Sequence, residues 1–148
     1  MDKKLFGLLV ANGALVTLAG SFSGVPLGFS VIDQVASGAS GLVGDVRAWH
    51  MAHMEGLLNG MLMIAMAAAA RQIAMSSGYA KAIFWGMVIA GWSNVIASNF
   101  SGLTGGRGMT MTGFDWNTFD FVVFMIGVAG ALIGLIALTM AGFKAARE

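Results

Sequence analysis

Four stretches of the chain are each long and apolar enough to cross a lipid bilayer. Crossing about 30 Å of hydrocarbon takes about 20 apolar residues at helical rise. The segments at about 5–24, 49–70, 79–100 and 118–143 meet that length. Hydrocarbon offers a backbone no hydrogen-bond partner, so each segment is expected as an α-helix. Only 10% of the 148 residues are charged, against roughly a quarter in a soluble domain, which is too few to cover a water-facing surface. The expected fold is therefore all-α, a bundle of four transmembrane helices forming a single integral membrane domain over residues 1–148. The 22 glycines suit it, because small residues let helices approach closely in lipid.

The same composition sets aside several function classes. A net charge of +1 without a basic cluster argues against nucleic acid as a partner. There is no cysteine, hence no disulfide and no thiolate chemistry. The opening MDKKLFGLLVANGALVTLAG has the charge pattern of a secretory signal, but its apolar run is longer than a signal core. We read it as a retained first span, with Pro26 ending it or starting a turn. A loop of about two dozen residues holding Asp33 and Asp45 is expected to follow. If both termini lie on one side, that side carries Lys3, Lys4, Arg71, Lys81, Lys144 and Arg147, and the other only Arg47 and Arg107. By the positive-inside bias the termini are expected in the cytoplasm, in a multi-pass protein of the cell's inner (plasma) membrane.

The second span is the most polar. RAWHMAHMEGLLNGMLMI holds both histidines of the chain, His50 and His53, together with Glu55 and Asn59. At 100° per residue, His53, Gly56, Leu57, Gly60 and Ile64 form one stripe. Two glycines below a histidine suit either a close helix contact or a flat ligand. Asn59 lies about 120° round, on a face shared with Glu55, Met63 and Met66. His50 and Glu55 lie near enough to the boundary to be interfacial. His53 has two readings: a hydrogen-bonded packing residue, or a metal or haem ligand through a neutral imidazole nitrogen. Two histidines three apart on one helix cannot sandwich a single haem. A haem here would have one protein histidine and an open sixth position, unless one of the 12 methionines filled it. In the third span Trp85, Trp92 and Asn99 share one face, and Asn94 and Ser98 another. The glycine-rich stretch around Arg107 has no phosphate-loop lysine, and no hydrolytic triad, HExxH motif or acidic pair is present.

Several of these residues occur in an order that resembles the styrene oxide isomerase family: Trp49, Ala52-His53, Leu58-Asn59-Gly60-Met61, Gly91-Trp92-x-Asn94-Val95, Ser98-Asn99-Phe100-Ser101 and Arg107-Gly108. The resemblance implies a small membrane enzyme, a homotrimer in the lipid bilayer, with haem b bound near subunit interfaces. It implies His53 as the iron ligand, with Trp49, Gly56 and Gly60 beside the cofactor. Asn59 and Asn94 become the candidates for positioning a small hydrophobic epoxide. Ferric iron would act as Lewis acid, and a 1,2-shift would give an aldehyde or ketone without net redox change. The sequence departs from the family at three places. Ala90 stands where an acidic residue is expected, Met54-Glu55-Gly56 replaces a Ser-Gly-Pro run, and the stretch between Asn94 and Ser98 is shorter and lacks a tyrosine. These point to an altered substrate pocket, in which Phe100, Trp92 and the methionines remain as polarizable faces for a cation. Two other functions fit the residues alone: a haem protein for small-ligand sensing or electron transfer, and a non-haem transport or accessory subunit.

Overall fold

The computed structural model describes residues 1–36 and 46–147. It contains four helices and, among the described residues, no strand: α1 (Lys3–Ala36), α2 (Val46–Gln72), α3 (Ser77–Thr104) and α4 (Trp116–Ala145). All four are long and apolar enough to cross a membrane. The chain is a multi-pass membrane protein, as the apolar segments require.

Helices α1, α2 and α3 pack on one another, and α4 packs on α3. Glycines set the closest approaches. A Cβ on Gly20 would lie 2.6 Å from Gly56 Cα, and one on Gly60 would lie 2.6 Å from Thr17 N, so α1 and α2 touch backbone to backbone. A Cβ on Gly86 would lie 2.7 Å from both Gly130 O and Gly134 N, so α3 and α4 do the same. Small residues serve this purpose in lipid, where apolar side chains gain nothing by leaving the hydrocarbon. Leu9, Val16, Met63, Ile83 and Met87 fill the space between the helices.

Both termini lie at one end of the bundle. The Met1 ammonium donates to Ala70 O at 3.1 Å, and Arg71 donates back to Met1 O at 3.2 Å. That end holds six of the eight basic residues; Arg47 and Arg107 are at the other.

The first span differs from expectation. Pro26 does not end α1, which runs through it to Ala36. A membrane helix tolerates proline where nearby hydroxyls and neighbouring helices satisfy the disturbed backbone. The ring removes only the bond to the Phe22 carbonyl, one turn earlier, and the rest of the 34-residue helix carries through. Asp33 is consequently helical rather than in a loop, and Asp45 lies outside the described residues.

Candidate functional site

Helix α2 presents polar groups on two faces. On the face toward α1, the Nδ1 atom of His53 lies 2.8 Å from Gly20 O. A carbonyl oxygen can only accept, so Nδ1 carries the proton, and in the neutral tautomer Nε2 keeps the lone pair. The ring rests against Gly24, where a Cβ would lie 3.0 Å from Nδ1 and 3.2 Å from Cε1. One carbonyl and two glycines of α1 thus fix the tautomer and seat the imidazole. A metal-ligating histidine is oriented in the same way, by a donor bond from its other ring nitrogen. Of the two uses open to the glycine strip, Gly56 and Gly60 serve the helix contact, since both are buried against the α1 backbone.

The other face of α2 meets α3, with α4 packed behind it. Asn94 Nδ2 donates to Asn59 Oδ1 at 3.2 Å, and Asn59 Nδ2 donates to Glu55 O at 2.9 Å. Gly127 of α4 makes room for this pair, because a Cβ there would lie 2.7 Å from Asn94 Oδ1. One turn further along α3, Ser98 faces the Glu55 carboxyl, and Glu55 Oε2 is buried without a hydrogen-bond partner among the described residues. Ser101 Oγ then donates to Asp120 Oδ2 at 2.9 Å. Asp120 is completely buried, and its Oδ1 also has no hydrogen-bond partner among the described residues. These groups form a polar seam from mid-span to the end of the bundle.

The structure therefore brings Asn59 and Asn94 together but not to His53, which faces α1. Trp49 is buried, with its ring about 3.0 Å from where a Gly102 Cβ would stand. His50 is exposed, as an interfacial residue should be. Trp92 Nε1 donates to Asn12 Oδ1 at 2.9 Å, and Phe100 stacks with Trp116 and Phe119, each centroid 5.2 Å away. Ser23 Oγ donates to Asn99 Oδ1 at 2.8 Å, a second α1–α3 contact.

Sequence reasoning passed over Asp120. Its signal was a carboxyl at the third residue of the expected 118–143 span, which marks a buried partner or cavity. The buried partner is Ser101, which also lines a cleft of about 330 Å³ with Arg47, Met51, Ser98, Gly106 and Arg107 among others; Asp120 itself lies behind that lining. No group of three or more His, Cys, Asp or Glu side chains that could hold a metal ion occurs among the described residues. Metal chemistry at His53 would thus need a centre that brings most of its own ligands, as a porphyrin does. His53 fits that requirement with one oriented nitrogen lone pair.

Four membrane-spanning helices with a single locked imidazole and an interior seam of amides and carboxyls define a membrane protein built around polar groups inside its bundle. The family profile described as styrene oxide isomerase matches residues 5–146, nearly the whole chain. The protein belongs to the styrene oxide isomerase family, a family of membrane epoxide isomerases. No individually curated protein matches it.

Proposed function

We propose that the protein is a haem b-dependent isomerase that converts a small hydrophobic epoxide to an aldehyde or ketone. Two things support this: family membership over residues 5–146, and the His53 Nδ1–Gly20 O bond that leaves Nε2 as a ligand atom. The second is the observation that carries the proposal.

In this reading His53 holds the iron through Nε2, and haem when bound supplies a Lewis acid for the epoxide oxygen. Gly20 keeps the imidazole in the tautomer that can ligate, and Gly24 leaves the ring room to stand against α1. Gly56, Gly60 and Trp49 act behind the ligand: the glycines set the α1–α2 spacing that delivers the Gly20 carbonyl, and Trp49 packs α2 on α3. Asn59 and Asn94 act as positioning residues. Their mutual bond fixes the rotation of α2 against α3, and so the direction in which His53 emerges on the opposite face. The surrounding hydrocarbon keeps water from the electron-poor carbon that develops as an epoxide ring opens. The ring-opened substrate then rearranges by a 1,2-shift rather than hydrolysing to a diol. All atoms of the substrate are retained, and no net oxidation occurs.

The same reading takes the assembly as a homotrimer in the plasma membrane. The six basic residues at the end that holds the termini support a cytoplasmic location for that end. The test is to incubate purified protein with aryl and alkyl epoxides and follow carbonyl products by gas chromatography. Carbonyl formation lost in His53→Ala and reduced in Asn94→Ala is the expected result. Haem-replete protein that leaves every epoxide unchanged would overturn the isomerase reading and favour ligand sensing or electron transfer.

A further inference from the structure

The connection between α3 and α4 has an apolar tip that the proposed isomerisation does not use. From Gly108 to Phe114 it reads GMTMTGF, without a charged residue. Met109, Met111 and Phe114 are exposed, Phe114 completely. Trp116 and Phe119 follow, also exposed, and both rings stack on Phe100 of α3. A slack loop could fold such side chains inward, but this one is tied to the first turn of α4. Asn117 Oδ1 accepts from the Arg107 and Gly108 backbone N–H groups, both at 2.9 Å, and Asn117 Nδ2 donates to Thr110 O at 2.8 Å. Thr118 Oγ1 accepts from Thr112 N at 2.9 Å and from Gly113 N at 3.3 Å. The near end is pinned over Asp120, where a Cβ on Gly106 would stand 2.9 Å from Oδ2.

Phe114 lines a groove of about 710 Å³ together with Trp116, Phe119 and Val122. Helix α4 has 30 residues, more than the about 20 that hydrocarbon requires. A stretch of that length centred on α4 includes Val122 but not Trp116, about 9 Å before it at helical rise. Phe114 therefore shares one space with a side chain at hydrocarbon depth. The groove continues into Met125 and Ile126, exposed apolar residues of the same spanning helix, so its open side is the side that meets lipid. Backbone groups that enter an apolar layer need partners from the protein itself. Asn117 and Thr118 supply them to four N–H groups and one carbonyl of the connection. The charged residues, Arg107 and Asp115, stand at its two ends, and aromatic side chains gather where headgroups meet chains. We propose that the 108–114 tip is immersed in the leaflet opposite the termini, at the boundary of headgroups and chains, with lipid chains filling the groove beside Phe114. The inference is independent of the haem reading, because His53, Asn59 and Asn94 take no part in it.

The chain has no cysteine, so one introduced thiol carries a nitroxide label at a single place. Labels on Met111→Cys and Phe114→Cys, both at exposed positions, are compared in lipid nanodiscs with two references. Ser76→Cys lies in the short turn between α2 and α3, and Leu132→Cys on the exposed middle of α4. The readout is power saturation by oxygen, which concentrates in lipid, against a water-soluble nickel chelate. The labels at 111 and 114 should favour oxygen over nickel, as at Leu132 and opposite to Ser76. Adding Asn117→Ala should shift both labels toward nickel, since the untied backbone groups must then find water. A preference matching that of Ser76 without the Asn117 change would overturn the proposal. So would labels shielded from both reagents and dipolar-coupled to one another, the mark of a second copy on this surface. An unchanged preference in Asn117→Ala would overturn the tie as what holds the tip in place. A Soret spectrum recorded on the same samples keeps this outcome separate from the fate of the haem reading.

Discussion

The two faces of α2 are built on opposite plans. Toward α1, side chains are stripped away: Gly56 and Gly60 meet Gly20, Gly13 and Thr17, and the backbones touch. The one large polar group left there, His53, is held by a backbone carbonyl. Toward α3 and α4, side chains remain and bond to one another, from Asn59 and Asn94 to Ser101 and Asp120, and two carboxyl oxygens are left over. The first face is rigid because its closest contacts are between backbones. The second is adjustable because amides and hydroxyls can exchange partners, including with water or a ligand. A locked donor atom suits a permanent metal centre, whereas unfilled acceptors suit something that comes and goes.

The most damaging way to test that contrast is to add a single methyl group to the rigid face. In Gly56→Ala the new Cβ would stand 2.6 Å from Gly20 N, a backbone atom, so the helices must part. We expect a loss on the order of 3 kcal/mol, read as a lower midpoint for unfolding in mixed detergent. Tolerance of Ala at this position would refute the backbone contact.

A smaller loss is expected at the turn of the adjustable face. Gly108 has φ +57, and a Cβ there would lie 2.8 Å from the Phe124 ring. Gly108→Ala should cost about 1–2 kcal/mol through the left-handed backbone alone, measured by the same unfolding titration. Wild-type stability in this variant would show that the turn is not held over Asp120 as described.

The amide pair should give less again. A double-mutant cycle on Asn59→Ala and Asn94→Ala is expected to yield a coupling of about 0.6 kcal/mol, typical of interhelical bonds in lipid. A coupling near zero would mean that the two amides do not choose each other.

The smallest effect lies at the start of α4. The Thr118 backbone N–H, and then the Thr112 hydroxyl, hold the exposed Asp115 carboxyl below its ordinary range. Its pKa is depressed on folding, so its support is present above the ordinary carboxylate range and is lost as pH falls through the depressed value. A lower protection factor for the Thr118 amide on acidification, measured against its intrinsic rate at each pH and absent in Asp115→Asn, is the expected signature.

The number of spans was legible because apolar length is a property of a single segment. Two decorated faces on α2 were legible for the same reason, since 100° per residue places His53 and Asn59 apart on any helix. The end of α1 was not, because the tolerance of Pro26 depends on surroundings that a local rule does not contain. Nor was the neighbour on each face, since a helical wheel gives angles within α2 but not that α1 lies against His53 and α3 against Asn59. Asp120 carried its signal in plain view, but its meaning depended on Ser101 and on a turn 14 residues upstream.

The central proposal is that His53 would offer Nε2 to an iron porphyrin as its protein ligand. The direct measurement is an absorption spectrum of the purified protein, with and without added imidazole, beside that of His53→Ala. We expect a Soret band that shifts when imidazole enters the position opposite His53 and is absent from the variant. A colourless wild type, a band unmoved by imidazole, or an unchanged band in His53→Ala would contradict it.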